Sequence, residues 1–173
     1  NAGVGGGGSF LDAPREEWER TFAITWGGVY LCCRAFVPLL RAAPEGHVVN
    51  TSSVNGFWAS LGPGVPHTAY STAKFAVKGF SEALIEDLRL NAPHVAVSVV
   101  MPGHIGTDIM INSRAVLSEG RDPAESAKEV RALLEGRGLA TDGMDDAAVL
   151  AVVDSFGAAF RDTAPTTAAE AAT

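Results

Sequence analysis

Two short runs rich in β-branched residues, His47 to Ser53 (HVVNTSS) and Val95 to Val100 (VAVSVV), each follow a segment long enough for a helix of many turns. Alternation of helix and strand with short connections implies βαβ units and a parallel sheet. The expected class is therefore α/β, a doubly wound parallel sheet. Pro14 opens the first helix with Arg15, Glu16 and Glu17 in its first turn. Trp18, Phe22 and Trp26 recur at a spacing of four along it, and Pro44-Glu45-Gly46 reads as the turn that ends it near Ala43. The second helix spans Thr68 to Asn91, with an apolar stripe of Ala73, Val77, Phe80, Leu84 and Leu88, and Pro93 stops it. Val95 to Val100 is almost continuously apolar, the pattern of a parallel strand buried on both faces. Two strands are too few for the apolar surface these helices carry, so the chain is expected to be the C-terminal part of a larger sheet.

Composition removes several classes of function. The chain has 173 residues, 47% of them hydrophobic, which suits one domain with a sizeable core. A formal net charge of -7 with no basic run argues against nucleic acid as a partner. The two cysteines, Cys32 and Cys33, are adjacent and no Cys/His cluster accompanies them, so neither a metal site nor a disulfide is expected and both read as buried small hydrophobes. Phe22 to Leu40 is apolar almost throughout, but Gly27, Gly28, Arg34 and Pro38 interrupt it. It is expected to lie against a sheet and a partner subunit rather than in a membrane. The chain opens on Asn1-Ala2-Gly3 and not on a signal peptide, and with both cysteines read as reduced the expected location is cytoplasmic.

Three features carry chemistry. Tyr70 and Lys74 stand at i and i+4 at the start of a helix, on one face and one turn apart. A tyrosine ordinarily ionises near pH 10, so exchanging a proton near neutrality requires a shift of about two or three units, and a neighbouring ammonium favours the phenolate. Ser52-Ser53 ends the preceding strand on its carboxyl side, where open α/β sheets place ligands. A serine hydroxyl there can donate to a carbonyl oxygen as negative charge develops on it. Met101-Pro102-Gly103-His104-Ile105-Gly106-Thr107 follows the carboxyl end of the next strand, where a forced turn bares backbone groups beside a flat ring. Each feature alone also fits an ordinary structure: a chance Tyr-x-x-x-Lys, a strand-end turn, a β-to-α turn. Together, in this order, they are far more specific.

On these residues the chain resembles the short-chain dehydrogenase/reductase family of classical type, over about residues 1 to 110. Asn1-Ala2-Gly3 matches the family's Asn-Ala-Gly motif, Ser53 its serine, Tyr70 and Lys74 its Tyr-x-x-x-Lys, and Pro102-Gly103 with Thr107 its Pro-Gly motif. The resemblance implies a Rossmann-like fold and an NAD- or NADP-dependent oxidoreductase that interconverts an alcohol and a ketone or aldehyde. It implies Tyr70 as general acid/base, Lys74 as the cation that lowers its pKa and binds the nicotinamide ribose, and Ser53 as the group that holds the substrate oxygen. It places Asn1, Ala2 and Gly3 beside the adenosine side of the cofactor, and Pro102, Gly103, Ile105 and Thr107 around the nicotinamide carboxamide. It also implies a homodimer or homotetramer formed through the two long helices, and no metal.

The chain departs from the family pattern in several places. Thr25 stands where an asparagine ordinarily helps a water relay reach the lysine. Ser53 and Tyr70 lie 17 apart (70 − 53), a longer loop than usual, with the extra length expected in residues 62–68. The glycine-rich phosphate turn is expected upstream of Asn1. Gly3-x-Gly5-x-x-Gly8 fits a dinucleotide fingerprint only as a string, because Asp12-Ala13-Pro14 intervenes before the helix, and it reads as a flexible loop. Residues 1–106 are expected to form the catalytic half, 107–162 a variable cover over the substrate (Ile109, Met110, Val116, Leu117, Met144 and Phe156 as pocket or core), and 163–173 the start of a capped helix that stops early. Alternatives are an inactive fragment acting as an interaction module, and an epimerase or dehydratase of the family's extended class.

Overall fold

The computed structural model describes residues 3–60 and 66–172. The chain forms two compact units, one ending at Gly103 and the other beginning at His104.

In the first unit a loop leads to one long helical rod. It begins as α1 (Arg15–Phe22), widens into a π-helical turn at Ala23–Gly27, and continues as α2 (Gly28–Ala42). The wide turn falls at the β-branched Ile24 and Thr25 and at Gly27-Gly28, residues that hold the ordinary i to i−4 ladder weakly. Ala43 turns extended ahead of Pro44. Strand β1 (Gly46–Thr51) pairs in parallel with β2 (Val95–Val100), Gly46 opposite Val95 and Thr51 opposite Val100, and α3 (Thr68–Asn91) makes the crossover. The hydrophobic core is Leu88, Ala92 and Val95, with Val37, Leu40, Val48, Leu84 and Val97 packed on it. Truncating Leu88 to Ala would cost about 2–5 kcal/mol. A polar tie crosses the same layer: Asn50 Nδ2 donates to Ser81 Oγ at 2.9 Å, and Ser81 Oγ donates to Val77 O at 2.7 Å.

Three expectations change, and the long rod keeps an exposed apolar face. The strand ends at Thr51, so Ser52 and Ser53 lie just beyond it, although Ser52 N still donates to Val100 O at 2.8 Å. Strand β2 is fully buried only at Val95, and Val100 is exposed, because helices cover just part of this two-stranded sheet. Cys33 is buried but Cys32 is exposed. The long rod leaves Tyr30, Leu31, Phe36 and Leu39 exposed, and Arg15–Ala42 is long and apolar enough to cross a membrane by length and composition.

In the second unit β3 (Ile105–Gly106) pairs in parallel with β4 (Thr166–Thr167). Helices α4 (Ile109–Leu117), α5 (Pro123–Gly136) and α6 (Asp146–Asp162) lie between them in sequence. The carboxylates of Asp122 and Asp145 cap α5 and α6 by accepting from Ala124 N and Ala148 N. The tail begins a capped turn as expected: Thr167 N donates to Glu170 Oε2 at 2.8 Å and Glu170 N donates to Thr167 Oγ1 at 3.2 Å, a capping box. It closes a 3-10 turn at Glu170–Ala172.

Candidate functional site

The carboxyl end of β1 is where the candidate residues gather. Past Thr51 the chain turns into a 3-10 turn, Val54–Gly56, whose N-cap is Ser53: its Oγ accepts from Asn55 N at 3.2 Å. Ser53 is 7% exposed, and its hydroxyl has two acceptors at 3.5 Å, Asn55 Oδ1 and Pro102 O. Pro102 O also accepts from Val54 N at 2.9 Å, so the turn after β2 is laced to the turn after β1.

Tyr70 and Lys74 come from the first turns of α3, as their spacing predicted. Lys74 is 6% exposed; its ammonium lies 5.6 Å from the centre of the Tyr70 ring and donates to Thr51 O at 3.0 Å. Burial pushes the Lys74 ammonium down to about 8. Burial also raises Tyr70 above its ordinary value, and hydrogen bonding with Ser53 opposes that rise. The direction is opposite to the lowering expected from Lys74: burial raises the phenol and only the Ser53 hydrogen bond opposes it. The His67 ring stands against Tyr70 edge-on, with centroids 6.3 Å apart.

Thr25 lies on the long rod and bonds the loop after Gly3. It is fully buried in the π-turn, accepting from Val4 N at 3.4 Å and donating to Val4 O at 3.3 Å. That loop is also not loose. Gly7 N donates to Glu17 Oε1 at 3.0 Å, and Thr68 Oγ1 lies 3.1 Å from Gly7 O and 3.0 Å from Gly8 O. Gly7 adopts φ +62, where an added Cβ would lie 2.4 Å from Ala69 Cβ, so the position demands glycine.

Asn1 and Ala2 lie outside the described residues, as do residues 61–65 of the long loop. Gly3 borders the site: a Cβ there would sit 3.8 Å from Lys74 Nζ. Pro102 and Gly103 belong to the first unit, and Ile105 and Thr107 to the second, where Thr107 N donates to Ile105 O at 2.9 Å. Sequence reasoning overlooked Asn55, which sits 5% exposed two residues after Ser53 and donates to Ser71 Oγ at 3.4 Å, and Gly56, whose added Cβ would lie 2.6 Å from Lys74 O. Asn55 carried a signal in its place beside the serine; Gly56 was visible only as a glycine after Val-Asn. Among the described residues no group of three or more His, Cys, Asp or Glu side chains is placed to hold a metal ion.

Known proteins similar to this chain are numerous. A family model described as short chain dehydrogenase matches residues 1–118. The probable oxidoreductase EphD of Mycobacterium tuberculosis is 40% identical over 111 residues, 64% of this chain and 18% of that protein. The 3-ketodihydrosphingosine reductase of Bacteroides thetaiotaomicron is 37% identical over 113 residues, 65% of this chain and 39% of that protein. A short chain dehydrogenase/reductase from Burkholderia phymatum, solved in complex with NAD, superposes with a TM-score of 0.62 at 27% identity, over 96% of this chain and 58% of that one. The chain thus spans less than half the length of these two curated relatives.

Proposed function

Because the chain belongs to the short chain dehydrogenase family, we propose that its protein interconverts an alcohol and a ketone or aldehyde by nicotinamide-dependent hydride transfer, with Tyr70 as general acid/base. The observation that carries this reading is the convergence of Ser53, Tyr70 and Lys74 at the carboxyl end of β1, with Lys74 buried and facing the Tyr70 ring.

The residues present fit the nicotinamide end of NAD or NADP. Lys74 has three donors and gives one to Thr51 O among the described residues, which leaves donors suited to a ribose diol. Gly3 leaves the space beside Nζ free of a side chain, where a Cβ would approach to 3.8 Å. When bound, the nicotinamide supplies or accepts the hydride. Asn1, Ala2 and Gly3 flank the adenosine side in this reading, and Pro102, Gly103, Ile105 and Thr107 the carboxamide. Ser53 donates to the substrate oxygen, and in the reductive direction the Tyr70 hydroxyl delivers the proton to that same oxygen. The exposed apolar residues of α2, Leu31 and Phe36 among them, form a subunit contact of a homodimer or homotetramer in this reading.

The test is calorimetric titration with NADH and NADPH together with nicotinamide turnover on a panel of small alcohols and ketones. Ser53→Ala should lower kcat by about 10²-fold while cofactor binding stays. Absence of both binding and turnover from the whole protein would count against the reading.

A further inference from the structure

The catalytic lysine of the proposed reading is gripped at both ends by the residues that follow β1. Its ammonium donates to Thr51 O at 3.0 Å, and its own main-chain carbonyl accepts from Ser52 Oγ at 2.7 Å. Ser52 is 2% exposed, so that hydrogen bond is shielded from water. The contact is close on every side: a Cβ on Gly56 would lie 2.2 Å from Ser52 Oγ and 2.6 Å from Lys74 O. No side chain larger than hydrogen fits at Gly56 while Ser52 holds that carbonyl. A serine hydroxyl bonding a helix carbonyl across 22 residues is a tertiary clamp, not a local turn.

We propose that Ser52, seated against Gly56, is a positioning residue that fixes the Lys74 turn of α3 to the end of β1 and thereby keeps the Lys74 ammonium buried on Thr51 O beside Tyr70. Releasing the carbonyl lets that turn of α3 lift from the strand end. Water then reaches Nζ, and solvation favours the charged form. Among the described residues Nζ is bordered by the Tyr70 ring from its own helix, the Thr51 carbonyl from β1 and Gly3 from the N-terminal loop, and burial, with no carboxylate contribution, sets the direction of its shift.

Lys74 is one of three lysines, with Lys78 and Lys128, so carbon-13 labelling of lysine Cε gives a resonance for each, assigned through Lys78→Arg and Lys128→Arg. The experiment is an NMR pH titration of the full chain. Ser52→Ala should raise the Lys74 midpoint by about 0.5–1 unit toward that of free lysine. Ser52→Cys keeps the volume with a weaker donor and should shift it the same way by less, which covers failure of the alanine variant to fold. Ser81→Ala is the control for mere destabilisation: Ser81 is likewise a fully buried serine bonding an α3 carbonyl, Val77 O, away from the site. It should lower stability and leave the Lys74 midpoint in place. The titration needs neither substrate nor cofactor, so its outcome is separate from that of the hydride-transfer assays. A Lys74 midpoint unchanged in both Ser52 variants, or moved equally by Ser81→Ala, would overturn the proposal.

Discussion

Thr25 holds both main-chain polar groups of Val4, accepting from its amide at 3.4 Å and donating to its carbonyl at 3.3 Å, and so ties the π-turn of the long rod to the loop that borders Lys74. Val4 is 5% exposed and Thr25 fully buried, so water cannot replace these bonds. Thr25→Val preserves shape but leaves Val4 N–H and C=O without that partner, at about 1–3 kcal/mol. Thr25→Ser keeps the hydroxyl and should cost about 1 kcal/mol for the lost methyl. Urea denaturation of the three proteins decides it; equal losses in the two variants would mean that the hydroxyl contributes nothing.

Gly7 separates backbone strain from steric clash. Gly7→Ala meets both a positive φ and an Ala69 Cβ 2.4 Å away, and should destabilise by about 2–4 kcal/mol. Gly120→Ala shares the positive φ, +78, with nothing within 4 Å of the new Cβ, and should cost about 1–2 kcal/mol. Thermal unfolding of the pair would show a clear gap; similar losses would mean that the loop moves aside.

Lys74 sets a pH signature on stability. Its folded-state pKa, about 8, lies below its ordinary 10.5, so between these values the unfolded chain binds more protons and stability rises with pH. Tyr70 and Cys33, both raised by burial, work the other way at higher pH. The difference between wild type and Lys74→Met isolates the lysine. Denaturation across pH 7 to 10.5 should show wild type gaining on the variant through that window, and a flat difference would mean that Lys74 is not desolvated.

Much of this was legible in the sequence. The crossover helix begins at Thr68 and ends at Asn91 as its apolar stripe and Pro93 indicated, and β2 falls on its expected residues. Those signals are local, and so was the Tyr70–Lys74 spacing that sets both on one helical face. What the sequence concealed is tertiary. Thr25 finds Val4 across 21 residues and Ser52 finds Lys74 across 22, and no periodicity marks either pair. The π-turn left only the faint hint of Gly27-Gly28. The glycine-rich loop read as loose because its anchors, Glu17 and Thr68, lie far along the chain. Strand β2 read as buried on both faces because its composition reports an environment that its one paired strand here does not supply.

If Tyr70, with Ser53 and Lys74, moves the proton in the proposed hydride-transfer reaction, Tyr70→Phe in the whole protein reveals it most directly. This substitution removes one oxygen from a half-buried ring and leaves the Lys74 bond to Thr51 O in place. Nicotinamide-linked turnover of a substrate found in the panel should fall by about 10²–10⁴-fold in kcat, with cofactor affinity changed little. Turnover within a few-fold of wild type would mean that Tyr70 is not the proton donor.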